Sequence, residues 1–237
     1  MNRIRLDKYL ANTLGESRSK VKEMIKAGRV KVNGITSSSG EDKIDSDADK
    51  VELDSVSVVF EKYRYYMFNK PAGCVSATRV KLSDTVLDFL KAENTRDLFP
   101  VGRLDKDSEG LLLITNDGAL SHELLSPNSH VDKVYFVKLD KDLKEDDRVK
   151  IEDCIDIGDD KPCLRAKVEI SGEKEAYITI TEGRFHQVKR MFAAVGYEVL
   201  YLKRISMGPL KLDDNLEPGE YRKLSEEEIE VLRKRGR

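Results

Sequence analysis

What the chain lacks narrows it first. Nowhere do its 237 residues approach the roughly 18 consecutive apolar residues that a membrane-spanning helix requires. The opening Met1-Asn2-Arg3-Ile4-Arg5-Leu6-Asp7 carries no apolar core of the signal-peptide kind, so a cytoplasmic location is expected, with no membrane partner. Cysteine is scarce: Cys74, Cys154 and Cys163 are an odd number without a Cys-x-x-Cys pair, which predicts reduced thiols, no disulfide and no zinc site. No internal repeat and no coiled-coil heptad is found. Net charge points to no partner either, because 42 Lys+Arg against 44 Asp+Glu leave only −2. Any affinity for a polyanion must come from how charge is distributed along the chain. What is present is enough apolar residue, 39%, to build a real core, in a chain long enough for one full-sized domain and a small one.

The distribution is uneven. Residues 1–36 hold nine basic side chains (Arg3, Arg5, Lys8, Arg18, Lys20, Lys22, Lys26, Arg29 and Lys31) against three acidic ones (Asp7, Glu16 and Glu23). Leu6, Leu10 and Leu14 recur every four residues, and Val21 and Ile25 repeat that spacing after Ser17, a good N-cap, with Gly28 placed to end the second helix. Asn33-Gly34 is a two-residue hairpin signal following the alternating Arg29–Val32. Residues 37–62 reverse the sign, with eight acidic residues against three basic, and the alternation Val51-x-Leu53 and Val56-x-Val58-x-Phe60 predicts a hairpin that closes a small domain. Glu61–Arg64 reads as a linker. The segments Arg5-Leu-Asp-Lys-Tyr-Leu10, Ser17-Arg-Ser-Lys20 and Ile25-Lys-Ala-Gly-Arg-Val-Lys-Val-Asn-Gly34 resemble the S4-like RNA-binding domain. That resemblance implies phosphate contacts from Arg5, Lys8, Arg18, Lys20, Lys22, Lys26, Arg29 and Lys31, which position RNA more than they read its sequence.

In the remainder, Tyr65–Asn69 predicts a strand ended by Lys70-Pro71-Ala72-Gly73, with a helix over Thr85–Lys91 capped by Ser83 or Asp84. A loop of charged side chains between two glycines, Gly102-Arg-Leu-Asp-Lys-Asp-Ser-Glu-Gly110, feeds the apolar run Leu111–Ile114. Setting charge beside a core strand is costly unless the loop faces a cleft. A helix over Ala119–Leu125 stopped by Pro127 follows. The strand Lys133–Leu139 is expected to put Val134, Phe136 and Leu139 against the core and Tyr135 on the opposite face. A helix near Asp146–Cys154 and strands near Cys163–Ile170 and Glu175–Thr181 precede Glu182-Gly-Arg-Phe-His-Gln-Val-Lys-Arg-Met-Phe-Ala-Ala-Val-Gly196. There Val188, Met191, Phe192 and Val195 share a helical face and Gly196 closes the helix. A strand over Glu198–Arg204 and a C-terminal helix opened by the capping box Ser225–Glu228, with a basic end Arg233-Lys234-Arg235, complete the chain.

Strands and helices in irregular order predict an α+β domain with a largely antiparallel sheet. Gly102-Arg-Leu-Asp105 with Asp107-Ser-Glu-Gly-Leu-Leu-Leu-Ile-Thr-Asn-Asp-Gly118, together with Asn69-Lys-Pro-x-Gly73, resembles the pseudouridine synthases. The Glu182–Gly196 wording with Glu217-Pro-Gly-Glu-Tyr-Arg222 looks most like the RsuA type. The resemblance implies a small S4-like domain over 1–60 and a catalytic domain over 61–237 whose mixed sheet has two parts and a cleft between them. It also implies isomerisation of uridine in ribosomal RNA, with 16S rRNA or a small-subunit assembly intermediate as partner, no cofactor, and a monomer. Asp105 is then the catalytic carboxylate, acting as nucleophile or base. Lys189 is its basic partner, Tyr135 the stacking tyrosine, Leu202 (or Leu200) the apolar residue on the other face of the uracil, and Arg103 a phosphate contact or the filler of the vacated stack. A sibling enzyme acting on 23S rRNA, or a non-catalytic RNA-binding assembly factor, remain the alternatives. His122, His130 and His186 lack metal-ligand spacing, and His186 reads as a structural hydrogen-bonding residue.

Overall fold

The computed structural model describes residues 3–126 and 129–234. Pro127, expected to stop a helix, and Arg235, expected at the basic end of another, lie outside the described residues. Two compact units form: one comprises the chain up to Arg64 together with Lys91–Leu98, and the other Tyr65–Leu90 with the chain from Phe99 onward. Among the described residues no helix is long and apolar enough to cross a membrane.

The first unit follows its sequence signals closely. Strand β1 (Arg3–Arg5) pairs with β4 (Lys43–Asp45), and helices α1 (Leu6–Leu14) and α2 (Arg18–Lys26) pack on a four-stranded sheet ordered β3 (Ile35–Thr36), β2 (Val30–Val32), β5 (Val51–Leu53), β6 (Val56–Val58). The Ser17 hydroxyl accepts the Lys20 amide at 3.2 Å, satisfying one of the donors that a helix start leaves open. The i, i+4 spacing buries Leu6, Leu10, Val21 and Ile25 against Val30, Ile44, Val51 and Val58. Asn33 and Gly34 take left-handed φ of 51° and 81°, as a tight hairpin turn requires. Lys91–Leu98 fastens here through Asn94 Nδ2 to the Asn12 carbonyl at 2.5 Å and Arg96 Nη1 to the Glu16 carbonyl at 2.9 Å.

The second unit is built on one mixed sheet. Its strands are β7 (Tyr65–Lys70), β8 (Phe99–Pro100), β9 (Glu109–Thr115), β10 (Lys133–Leu139), β11 (Lys167–Gly172), β12 (Glu175–Ile180), β13 (Val199–Met207), β14 (Leu210–Lys211) and β15 (Tyr221–Lys223), and its helices α3 (Gly118–Leu125), α4 (Glu145–Glu152), α5 (Gln187–Ala194) and α6 (Glu226–Lys234). The order β11-β12-β10-β13-β9-β7-β15 is antiparallel at every step except β13–β9. At that parallel step, where the two halves meet, Lys203 pairs with Glu109 and Arg204 with Gly110. Gly110 makes the close approach possible: it sits at φ 100°, and a Cβ there would lie 2.2 Å from the Arg204 carbonyl oxygen. Leu111 and Leu113 face Leu120, Leu124 and Leu232 on one side of β9, each buried leucine contributing about 1.5–3 kcal/mol of transfer free energy.

Local expectations and structure part in several places. Residues Thr85–Lys91 give only a 3-10 turn over Val86–Phe89, opened by a capping box of Thr85 and Asp88 and ended at Leu90. The cap is thus Thr85, not Ser83 or Asp84. The strand expected from Cys163 begins at Lys167, and that expected at Glu198–Arg204 runs from Val199 to Met207. On β10 the faces expected for Val134, Phe136 and Tyr135 are reversed, whereas Leu139 is buried as expected. Lys133, Tyr135, Val137 and Leu139 are buried, while Val134 and Phe136 are only half-buried, Phe136 lying 5.4 Å from the Tyr177 ring and 6.2 Å from the Tyr201 ring. Two faces that both bear large apolar residues defeat a period-two reading.

Candidate active site

The loop before β9 is held rigidly from the segment that follows β7. Buried Lys70 donates from Nζ to the carbonyls of Pro71 at 3.0 Å, Lys106 at 3.3 Å and Ser108 at 2.8 Å, and burial pushes its pKa down. The Gly73 amide donates to the Lys106 carbonyl at 2.7 Å, and Ser76 Oγ bridges the Leu104 carbonyl at 2.9 Å and amide at 3.0 Å. A carboxylate on such a loop keeps its place without substrate, which is what chemistry at a fixed point needs.

Asp105 projects from this loop onto a cavity of about 840 Å³, a size that suits a nucleoside. The cavity is lined also by Arg103, Tyr135, Phe185, His186 and Leu202. Tyr135 comes from the buried face of β10 and Leu202 from β13, at 7% and 6% exposure, whereas Leu200 is 64% exposed and does not line the cavity. Arg103 is exposed at its rim. Lys189, in the first turn of α5, brings Nζ to 3.6 Å from Asp105 Oδ2 but to 2.6 Å from Asp107 Oδ1. The lysine is thus shared, and its hydrogen bond holds the Asp107 carboxyl below the ordinary aspartate range against the opposing effect of burial.

Sequence reasoning overlooked several neighbours. His186, read from the sequence as a structural hydrogen-bonding residue, has a side chain 43% exposed on the cavity, with Nε2 3.5 Å from Asp105 Oδ1. It caps α5 in the left-handed region, φ 49°, with its ring stacked on Phe185 at 3.8 Å. Backbone strain at a non-glycine residue beside a carboxylate was the one available signal, and it is invisible before the fold is known. Lys133 and Arg204, buried cations on the cavity wall, were also missed. On the first unit, Lys8, Arg18, Lys20, Lys22 and Lys26 are exposed and Lys31 is half-buried. Arg29 is tied to Asp54, Nε to Oδ1 at 3.0 Å, and Arg5 Nη2 to Asp7 Oδ2 at 2.8 Å.

With this geometry in place, comparison with known proteins gives the class. The family described as RNA pseudouridylate synthase matches residues 64–194, and the S4 domain matches residues 4–48. The chain belongs to the RNA pseudouridylate synthase family, with an S4 domain ahead of the synthase domain. It is 46% identical to an uncharacterized RNA pseudouridine synthase of Bacillus subtilis, over 97% of this chain and 98% of that one. It is 40% identical to the ribosomal small subunit pseudouridine synthase A of Vibrio cholerae, over 95% and 98% of the two chains. A crystal structure of a pseudouridylate synthase superposes with a TM-score of 0.69 at 38% identity, covering 97% of this chain and 99% of that one.

Proposed function

We propose that the protein converts uridine to pseudouridine in ribosomal RNA, and that its target is a single uridine of 16S rRNA, free or in a small-subunit assembly intermediate. The observation that carries the reading is Asp105: a carboxylate on a rigid loop, opening on a nucleoside-sized cavity walled by Tyr135 and Leu202. The relatives named for the ribosomal small subunit, which align along almost the whole chain, support the 16S target. The reaction breaks the bond from C1′ to N1 of uracil and joins C1′ to C5, a rearrangement that consumes no redox equivalent and no second substrate. Asp105 acts on the ribose or on the base, with Lys189 Nζ beside its carboxylate at 3.6 Å. Tyr135 and Leu202 hold the flipped uracil between them, and Arg103 meets a phosphate or fills the vacated stack. The exposed lysines and Arg18 of the first unit supply affinity for the RNA backbone, and a cytoplasmic monomer suffices.

Mapping pseudouridines in rRNA from cells lacking the protein tests this. One pseudouridine should vanish from 16S rRNA and return with the unaltered protein, not with Asp105→Ala. A loss from 23S rRNA would move the target to the other subunit. An unchanged map, or rescue by Asp105→Ala, would leave a non-catalytic RNA-binding role.

A further inference from the structure

Two cations on the cavity wall have no paired carboxylate among the described residues. Lys133, at the start of β10, is 7% exposed and donates from Nζ to the Val131 carbonyl at 2.9 Å. Arg204, on β13, is 2% exposed. Its Nε donates to the Leu111 carbonyl at 2.7 Å, while the buried Nη2 has no partner. The two strands are antiparallel neighbours, and the charges act on each other: burial first, then Arg204, push the Lys133 pKa down, and Asp132 and Glu182 oppose this only in part. Glu182 is engaged elsewhere, accepting from Gln187 Nε2 at 2.8 Å, Arg184 Nε at 3.0 Å and the Leu164 amide at 2.9 Å. Ser108, wholly buried on the same lining, also has an unpartnered Oγ.

A buried donor without an acceptor bears the full loss of its hydration, and two like charges together bear more. A wall of this kind suits an occupant that brings oxygen acceptors and negative charge. We propose that Lys133 and Arg204 hold the carbonyl oxygens of the uracil and stabilise the negative charge it carries while detached from the ribose. The inference rests on the pseudouridine synthase reading and adds a role for two residues to it. When C1′–N1 breaks, the electron pair stays with the ring and spreads onto O2 and O4. C5 then bonds to C1′, C5 loses its proton and N1 gains one, so no atom is gained or lost overall. Donors fixed where charge develops, in a site shielded from water, lower the barrier to that first cleavage. The same donors would fit a backbone phosphate, which also offers anionic oxygen, and the test separates the two.

The experiment follows single-turnover consumption of the target nucleoside by the full-length protein, on RNA bearing uridine or 5-fluorouridine at that position. Fluorine withdraws electrons and stabilises the detached base by itself. Lys133→Met should slow consumption of uridine about 100-fold with RNA affinity nearly unchanged, and the deficit should shrink about 10-fold on the fluorinated RNA. Lys133→Arg, which restores charged donors, should recover much of the rate. Because Arg204 also ties β13 to β9, Lys133→Met carries the test, with Lys133→Gln beside it and thermal melting as the check on folding. Equal deficits on the two RNAs would overturn the proposal, since a merely structural loss does not depend on the leaving group. Weaker RNA binding with an unchanged rate at saturation would also overturn it, and assign the donors to a phosphate. No turnover by the unaltered protein on either RNA would sink the pseudouridine synthase reading and this inference with it.

Discussion

The two units carry positive charge in opposite ways. In the first, Lys8, Arg18, Lys20, Lys22 and Lys26 stand exposed on or beside two short helices. In the second, Lys70, Lys133 and Arg204 are buried, two of them on the wall of the cavity that holds Asp105. Water decides what each arrangement can do. An exposed ammonium attracts a polyanion from a distance and is screened over about 10 Å at 0.1 M salt. A buried one acts only on what touches it, and there much more strongly. The contrast separates affinity from chemistry: the first unit should set how tightly and how salt-dependently RNA binds, and the second what happens to the uridine.

The sharpest way to break that separation is Asp105→Ala. Turnover should fall below about one per cent of the unaltered protein, with RNA affinity and its salt dependence unchanged, because losing a group that acts covalently or as a base removes orders of magnitude of rate. A variant that also bound RNA poorly would show that the cavity contributes affinity. Next in size is Lys189→Met, for which a loss of about 10- to 100-fold in single-turnover rate is expected, with Lys189→Arg keeping most activity. The shared position of this lysine, closer to Asp107 than to Asp105, supplies the control. Asp107→Asn should release Lys189 toward Asp105 and cost far less than Lys189→Met. An equal loss would mean that the Asp107 pairing itself holds the site together.

A smaller effect is expected from the first unit. Replacing Lys20, Lys22 and Lys26 by alanine in the full-length chain should lower the slope of log K against log salt by about 2 to 3, since each phosphate neutralised by a cation accounts for about 0.7–0.9 of that slope. Turnover at saturating RNA should hold. Full-length variants are preferable to a truncation near Tyr63, because Lys91–Leu98 bonds to Asn12 and Glu16 and would be left without those partners. An unchanged slope would reduce the basic patch to a solvated surface.

How much of this was legible beforehand depended on how local the cause was. Ser17, Asn33-Gly34 and the box Ser225–Glu228 act within three residues of themselves, so their elements could be read from the sequence. The Leu111–Ile114 run was readable because a central strand is apolar on both faces. The same reasoning failed on β10, where Lys133 and Tyr135 share the buried face with Val137: a cavity wall tolerates polar side chains that periodicity assigns to solvent. Leu202 and Tyr135, which line the cavity, were named through resemblance. Lys133 and Arg204 were not, since the burial of a charge is a property of the packed sheet. The left-handed His186 and the attachment of Lys91–Leu98 to the first unit have the same non-local origin.

Arg5 offers the finest test of the contrast, because it belongs by position to the basic patch and by contact to the interior. Its Nε and Nη2 lie 3.1 and 2.8 Å from the carboxylate of Asp7, which is wholly buried, and Nη2 also reaches Glu41 at 3.1 Å. The hydrogen bond from Arg5, outweighing burial, holds the Asp7 pKa below the ordinary value of 3.8. A carboxyl whose folded pKa is depressed adds stability above its unfolded value, and that stability is lost as pH falls through the folded one. Arg5→Met removes the partner and leaves a buried carboxylate to be neutralised or exposed. The variant should therefore melt lower than the unaltered protein at pH 7, and the gap should narrow as pH drops below about 4 and close only below the depressed folded pKa, where Asp7 is protonated in both. Its RNA salt slope should barely move. A constant gap in melting temperature across pH 3 to 7 would break the assignment of Arg5 to the interior, and a reduced salt slope would return it to the RNA-binding surface.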